Sequence, residues 1–163
     1  MQLMRSIVAW VGLWALPVLA TGVGEAAPAF SLQNAKGETV SLERLRGKVV
    51  YVDFWASWCG PCRRSFPWMN EMQQKYGARG FTIVGVNVDK RRADAERFLA
   101  QIPAQFTVVY DAAGATPSAY GVKGMPSSYL IDAAGKVVAV ESGFRDEQKT
   151  ALEEQIRALL PAR

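Results

Sequence analysis

The sequence predicts an α/β sandwich built on a mixed β-sheet. Short β-rich runs alternate with helical stretches along most of the chain, which is the pattern of strands connected through helices. Two of these runs are almost continuously apolar, as is typical of strands buried on both faces. The last two strands are instead joined by a tight turn and followed by a helix, so we expect both parallel and antiparallel strand pairs.

A hairpin opens the folded part of the chain, because residues 29–34 and 38–41 flank the turn Ala35-Lys36-Gly37. A helix is predicted from the cysteines to about Tyr76, where two glycines follow. This helix separates the two apolar runs, which are predicted as buried strands: residues 49–56 (VVYVDFWA) and 81–88 (FTIVGVNV).

The C-terminal half is predicted from shorter patterns. Residues 93–102 form a helix whose Phe98, Leu99 and Ile102 share one face. Residues 146–160 form an amphipathic helix with leucines and one isoleucine on its apolar side. The short strands of this half are residues 107–110, 128–131 and 137–140.

Composition indicates one globular domain. The chain has 163 residues, half of them hydrophobic and 21% charged, which suffices for a core without staples. The net charge of +4 is modest, and the densest basic run, Lys90-Arg91-Arg92, is short. We therefore expect no nucleic-acid binding.

The chain contains no histidine, which excludes Ser-His-Asp and Cys-His catalysis within it. Two cysteines cannot complete a tetrahedral zinc site on their own. A metal shared between two chains is the remaining metal site, and nothing in the sequence favours it.

The N-terminal 27 residues are predicted to be a signal peptide or a membrane anchor. Arg5 precedes an apolar stretch over residues 7–20, and small residues then permit cleavage after Ala20 or Gly22. The order of these features is that of a secretory signal.

A retained leader is the alternative, since residues 7–23 are close to the minimum that spans a bilayer. In both cases we expect the domain of residues 28–163 outside the cytoplasm, in the periplasm or anchored to the inner membrane, where disulfides persist. No cysteine ends the apolar stretch, so a lipid anchor is excluded.

The cysteines Cys59 and Cys62 form a C-x-x-C pair where a helix is predicted to begin. Unpaired N–H groups of a first helical turn stabilise a thiolate, the nucleophile of disulfide exchange. The spacing lets the second sulfur resolve a mixed disulfide formed on the first. An inert disulfide staple is the alternative, although so short a loop would stabilise the fold little.

The segment VDFWASWCGPC, residues 52–62, resembles the active-site segment of thioredoxins. Pro67 stands where thioredoxins carry a helix-kinking proline, and Met125-Pro126 resembles their cis-proline element. The leader, the hairpin, an insertion over residues 93–111 and the stretch GVKGMPSSYLID resemble more specifically the TlpA/ResA group of extracytoplasmic thiol–disulfide oxidoreductases. The resemblance spans residues 29–160.

This resemblance implies a thioredoxin-like sandwich, with a mixed central sheet flanked by helices, an N-terminal hairpin and a central insertion. It implies a redox-active Cys59–Cys62 disulfide and no bound cofactor or metal. The residues assigned to catalysis are Cys59, Cys62, Asp53 and Pro126. The residues assigned to substrate binding are Trp58, Gly60, Pro61 and Met125.

Asp53 lies within a predicted buried strand, where ionisation of its carboxyl group is costly and raises the pKa. One interpretation is that Asp53 points to the sheet edge or pairs with a basic residue such as Lys90. The resemblance favours another, because Asp53 matches the buried acid of thioredoxins that assists proton transfer for the second cysteine.

Members of the TlpA/ResA group often have an acid three residues after the second cysteine, where this chain has Ser65. We therefore expect acid–base assistance from Asp53 and carry over no preference for cytochrome-maturation substrates. Arg63 and Arg64 are either solvated or add to thiolate stabilisation. The aromatic residues assigned to the core are Phe54, Trp55, Phe66 and Trp68.

Reduction is favoured over oxidation. Reduction potentials run from about −270 mV for thioredoxin to about −120 mV for DsbA, a difference of roughly 7 kcal/mol for two electrons. Gly60-Pro61 is the pair found in the reducing thioredoxin, whereas DsbA-like oxidants usually have Pro-His. The partners implied are disulfide-containing substrate proteins and a membrane electron donor of the DsbD/CcdA type.

Two other functions remain as alternatives on the same fold. A thiol peroxidase would carry P-x-x-x-[ST]-x-x-C, but Val52 and Ala56 occupy the matching positions before Cys59. A metallochaperone or redox-inert scaffold is the non-enzymatic alternative. Copper-handling relatives typically add a histidine, which this chain lacks.

Overall fold

The structure is a computed structural model that describes residues 21–162. Most of the predicted leader over residues 1–27, and of the predicted anchor over residues 7–23, lies outside the described residues. Within residues 21–162, no helix is both long enough and apolar enough to cross a bilayer.

The elements alternate between strand and helix as predicted. The strands are β1 (Ser31–Asn34), β2 (Thr39–Ser41), β3 (Val49–Trp55), β4 (Phe81–Asn87), β5 (Thr107–Tyr110), β6 (Ser127–Ile131) and β7 (Val137–Ser142). The helices are α1 (Gly60–Tyr76), α2 (Arg92–Gln101), α3 (Ala115–Tyr120) and α4 (Lys149–Leu159). Short 3-10 turns cover Glu43–Leu45, Gly77–Arg79 and Asp146–Gln148.

The strands of the described residues form one mixed sheet in the order β2-β1-β5-β4-β3-β6-β7. Pairs β3–β4 and β4–β5 are parallel, while β1, β2, β6 and β7 join by antiparallel pairing. The predicted α/β sandwich with a mixed sheet is therefore confirmed. The N-terminal hairpin is present as β1–β2, and the predicted insertion supplies α2 and β5.

Strand β3 separates two hydrophobic layers because its side chains alternate between the faces of the sheet. Val49, Tyr51 and Trp55 pack with α1, α2 and α4 in one layer, which also contains the two cysteines. Val50, Val52 and Phe54 pack with α3 and the N-terminal hairpin in the other. By the same alternation, Asp53 faces the layer that contains the cysteines.

An aromatic cluster fixes α1 against the sheet. Phe66 on α1 is fully buried. The centroid of its ring lies 5.0 Å from the ring centroid of Trp55, 5.0 Å from that of Phe98 and 5.2 Å from that of Phe106. Edge-on contacts of this kind add to the gain from burial. The predicted core residues Phe54, Trp55, Phe66 and Trp68 are all buried.

Helix α3 is absent from the sequence prediction. It has only six residues and begins and ends at glycines with positive φ, Gly114 at 76° and Gly121 at 72°. Asp111 caps its start by accepting hydrogen bonds from the backbone N–H groups of Gly114 (2.9 Å) and Thr116 (2.7 Å). So short a helix leaves no periodic pattern, and glycine and proline there are typical of a turn.

The segment before β1 is held against the domain. The N–H of Gly24 donates to the carbonyl of Val137 at 2.8 Å, and the N–H of Val137 donates to the carbonyl of Glu25 at 2.9 Å. Ala26 forms an isolated bridge with Lys136. The sequence does not predict these contacts with the start of β7, so they are a finding of the structure.

Candidate active site

The cysteine pair lies at the junction of β3 and α1. Cys59 is the N-cap residue of α1, and a disulfide joins it to Cys62 with an S–S distance of 2.00 Å. The N–H of Cys62 donates to Sγ of Cys59 at 3.2 Å. Cys59 is 3% exposed and Cys62 is fully buried, so Cys59 is the sulfur that a substrate can reach.

The loop that leads into Cys59 is anchored by Asp89, which sequence analysis missed. Asp89 follows β4, and its carboxylate accepts hydrogen bonds from Ser57 N (2.9 Å), Ser57 Oγ (2.9 Å) and Asn87 Nδ2 (2.8 Å). Because β3 and β4 are parallel, their carboxyl ends meet at one edge of the sheet. Asp89 directly follows the second predicted buried strand, and this position is the signal in the sequence by which it could have been identified.

The loop before β6 brings a cis-proline to the same edge. The Met125–Pro126 peptide bond is cis, as the resemblance to thioredoxins implied. Ser127 pairs with Phe54 on β3, so Pro126 lies level with the last residue of that strand. Met125 packs against the core layer that contains Cys59 and Cys62. The carbonyl of Pro126 accepts a hydrogen bond from Gly143 N at 2.8 Å.

Asp53 lies at the centre of the sheet and is 1% exposed. Burial removes water from its carboxyl group and raises the pKa well above the ordinary value. Its Oδ2 atom has no hydrogen-bond partner among residues 21–162. Because β3 is an inner strand, the alternative that placed Asp53 at a sheet edge is wrong. The alternative that paired it with Lys90 is wrong too, because no ion pair among residues 21–162 joins them and Lys90 donates to the carbonyl of Ala112 at 2.7 Å.

The cross-strand neighbours of Asp53 differ in character. On β6 it faces Ser128, whose Oγ accepts a hydrogen bond from Tyr51 Oη at 2.7 Å. On β4 it faces Gly85, where a Cβ would come within 2.9 Å of the Phe106 ring and 3.2 Å of Trp55 Nε1. A side chain does not fit at Gly85, and the Trp55 Nε1 atom that lies there is, like Asp53 Oδ2, buried without a hydrogen-bond partner among residues 21–162. The hydroxyl groups near Asp53 are those of Ser128 and Tyr51.

The surface around the cysteines is partly apolar. Trp58, directly before Cys59, is 72% exposed, and Gly60 and Pro61 lie beside it at the start of α1. Two of the large apolar residues of the described chain, Trp58 and Val23, are more than half exposed. An exposed tryptophan next to a reactive sulfur is a candidate contact for a partner protein.

The polar residues that follow Cys62 have other partners. Arg63 donates to Gln101 at 2.8 Å and lies over the Phe98 ring, which directs it along α2. Ser65 is buried and donates to the carbonyl of Cys62 at 3.1 Å, within the helix. Among residues 21–162, no cluster of three or more His, Cys, Asp or Glu side chains could hold a metal ion.

These features give the site a defined chemistry. A sulfur at a helix N-terminus, with a backbone donor aimed at it, is stabilised as a thiolate. The second sulfur is already within bonding distance, and a buried acid lies on the same face of the sheet. The arrangement can exchange disulfides and move one proton.

Comparison with known proteins places the chain among redox proteins. The Redoxin family matches residues 22–156. The thiol-disulfide oxidoreductase ResA of Bacillus thuringiensis subsp. konkukian is 34% identical over 139 residues, which cover 85% of this chain and 79% of that protein. ResA of Bacillus subtilis is 36% identical over 124 residues, which cover 76% and 69%.

Solved structures agree with this placement. A Chlorobium tepidum protein, provisionally named thiol:disulfide interchange protein DsbE, is 56% identical with a TM-score of 0.83, covering 86% of this chain and 99% of that one. The thioredoxin domain of a thiol-disulfide oxidoreductase from Bacteroides vulgatus is 31% identical with a TM-score of 0.76, covering 84% and 99%. The predicted thioredoxin-like fold is therefore confirmed.

Proposed function

Because the chain belongs to the Redoxin family and is a ResA-like thiol–disulfide oxidoreductase of thioredoxin fold, we propose that it reduces disulfides of substrate proteins outside the cytoplasm. The observation that carries the proposal is the Cys59 sulfur at the N-cap of α1, with the Cys62 N–H directed at it. The buried partner sulfur lies within bonding distance and completes the redox pair.

The reaction takes two exchange steps. The Cys59 thiolate attacks a sulfur of the substrate disulfide, forms a mixed disulfide and releases the first substrate thiol. Cys62 then loses its proton and attacks Sγ of Cys59, which releases the second substrate thiol. The substrate gains two electrons, and the protein ends with the Cys59–Cys62 disulfide seen in the structure.

Asp53 is the base of the second step. The thiol of Cys62 is shielded from water, so it needs an internal proton acceptor. Asp53 faces the same core layer, and its raised pKa brings the carboxyl group closer to the pKa of a thiol. The shuttle through Asp53 is therefore the acid–base part of the proposal.

Substrate contacts are assigned to the surface beside Cys59. Trp58, Gly60 and Pro61 form one side of it, and Met125 with the cis-Pro126 forms the other. Pro126 lies level with the end of β3, which supports a role in holding the extended substrate backbone so that the substrate sulfur lies next to Cys59.

Location and electron supply follow from the predicted leader. An exported domain meets no soluble thiol pool, so regeneration of the dithiol requires a membrane electron donor, of the DsbD/CcdA type. The relatives named thiol-disulfide oxidoreductase ResA support the redox activity for which such a donor is required. Whether residues 1–27 are cleaved or kept as an anchor decides only how the domain is held near that donor.

The test is capture of mixed disulfides. We expect Cys62→Ser to accumulate proteins linked to Cys59, and the matched variant Cys59→Ser to accumulate none. If the Cys59→Ser variant still reduced substrate disulfides, the proposed enzyme mechanism would be wrong. Equilibration with glutathione measures the reduction potential of the Cys59–Cys62 pair and so tells whether the protein reduces or oxidises its substrates. A potential near −270 mV agrees with a reductase, and one near −120 mV contradicts it.

A further inference from the structure

A second carboxyl group lies on the same cross-strand row as Asp53. Asp53 on β3 pairs with Ser128 on β6, and Ser128 pairs with Glu141 on β7. Directly paired residues of antiparallel strands project from the same face, so all three side chains lie on the face of the cysteines. The row runs from the centre of the sheet to its edge at β7.

Contacts hold this row in place. Tyr51 Oη donates to Ser128 Oγ at 2.7 Å, and Gln148 Nε2 donates to Glu141 Oε2 at 2.8 Å. Burial has the largest effect on the pKa of Tyr51 and raises it, and the negative charges of Asp53 and, to a smaller extent, Glu141 raise it further. Tyr51 thus lies within the field of both carboxyl groups. Glu141 is half-buried, whereas Asp53 is buried.

We propose that Glu141 is a positioning residue that acts on Asp53 through its charge and sets the pH at which Asp53 accepts the proton of Cys62. Two strand spacings separate the residues, or about 10 Å. At that distance a neighbouring negative charge favours the protonated acid by roughly half to one pH unit. The proposal rests on the proposed role of Asp53 as the base.

The other titratable and charged groups near this face are few, and none of them forms an ion pair with Glu141 among residues 21–162. On β3 and α1 they are Tyr51, Cys59 and Cys62. Asp146 pairs with Lys149 at 2.6 Å, and Lys149 and, to a smaller extent, the exposed Arg64 lower the pKa of Asp146. Gly85 of β4 carries no charge.

The experiment is a double-mutant cycle on the pH profile. Stopped-flow follows the resolving step after the reduced protein is mixed with oxidised glutathione, which forms the mixed disulfide on Cys59, for the wild type, Glu141→Gln, Asp53→Asn and the double variant. We expect Glu141→Gln to move the rising limb to lower pH by about half to one unit, a three- to tenfold change in proton affinity. In the Asp53→Asn background, Glu141→Gln should not shift the pH profile.

Matched controls separate the outcomes. Glu43→Gln removes an exposed acid after β2 and should leave the limb in place. Infrared titration of the Asp53 carboxyl group should show the same shift in Glu141→Gln without reference to activity. If the rising limb of the pH profile depends on Asp53 but does not shift in Glu141→Gln, this inference is wrong and the proposed function stands. A wild-type limb that survives in Asp53→Asn overturns the base assignment of the proposed function.

Ser128→Ala distinguishes charge from a hydrogen-bonded chain. If Glu141 acts by charge, Ser128→Ala keeps the response to Glu141→Gln. If Ser128→Ala abolishes that response, the coupling passes through the serine hydroxyl and the charge mechanism is wrong.

Discussion

The backbone N–H of Cys62 points at Sγ of Cys59 from 3.2 Å away. This hydrogen bond, together with the helix N-terminus, favours negative charge on one sulfur of the pair and not on the other. The two cysteines are therefore chemically unequal although only two residues separate them.

The first prediction concerns alkylation of the reduced protein. Iodoacetamide at neutral pH should modify Cys59 at least tenfold faster than Cys62, because Cys59 is stabilised as a thiolate and Cys62 is fully buried. Peptide mapping by mass spectrometry measures the two rates. Equal rates, or faster modification of Cys62, would contradict the assignment of the attacking sulfur.

The second prediction concerns Asp53 and the pH dependence of stability. Its pKa is raised in the folded state above the unfolded value of 3.8. The folded state therefore holds its proton to higher pH, and the free energy of unfolding falls as the pH rises from about 4 through the folded pKa. Asp53→Asn should remove this fall and be more stable than wild type by about 1–3 kcal/mol at pH 8.

Urea unfolding of both oxidised proteins at several pH values gives the measurement. At pH 3, where Asp53 is protonated in both states, the two proteins should differ by less than about 1 kcal/mol. A wild-type protein that gains stability between pH 4 and pH 8 relative to Asp53→Asn would show that the carboxylate is stabilised in the fold.

The third prediction concerns Phe66, which joins α1 to the sheet. Its fully buried ring touches Trp55, Phe98 and Phe106, so Phe66→Ala should lower the free energy of unfolding by about 3–5 kcal/mol. The matched variant Phe66→Leu retains most of the volume and should lose less than half as much. Denaturant titration decides, and a loss below about 1 kcal/mol for the alanine variant would disprove the packing role.

The fourth prediction concerns Trp58. Because its side chain is 72% exposed, Trp58→Ala should change the free energy of unfolding by less than about 0.5 kcal/mol. Its proposed contact with substrate should appear as a several-fold rise in KM for a protein disulfide, with little change in kcat. Val23→Ala, another exposed apolar residue, serves as the control and should leave KM unchanged. An unaltered KM in Trp58→Ala removes that residue from the binding surface.

The fifth prediction concerns Asp89, which holds the loop before Cys59. Asp89→Ala leaves the donors of Ser57 and Asn87 unpaired and should cost about 1–3 kcal/mol of stability. Asp89→Asn keeps one acceptor oxygen and should cost less. Single-turnover assays should also show slower attack by Cys59 in the alanine variant. Unchanged rates and stability would mean that the loop is fixed by other contacts.

Much of the fold follows from local patterns. The runs at 49–56 and 81–88 are so apolar that their burial on both faces needs no further information, and both are central strands. Helix α3 is not predicted because it has only six residues and leaves no periodic pattern. The docking of residues 21–27 is not predicted because it depends on contacts with distant parts of the chain. Thr21, for example, donates to the carbonyl of Ala119, 98 residues away.

The site divides in the same way. Cys59, Cys62 and Pro126 could be identified from short motifs, since the chemistry demands those residues at that spacing. The residues that share the row of Asp53 could not be identified, because Ser128 and, beyond it, Glu141 are aligned with Asp53 only by the register of β3, β6 and β7. Strand register depends on the whole sheet and is not encoded in any one segment.

The bridge between Ala26 and Lys136 has a consequence for how the molecule behaves at high concentration. Strand β7 is an outer strand of the sheet, and an open outer strand is a template on which another molecule can add its own strand. Gly24 and Glu25 already occupy the pairing groups of Val137. Cleavage after Ala20 or Gly22, the sites predicted from the sequence, would leave this pairing intact, so a processed chain would keep the start of its outer strand closed to a second molecule.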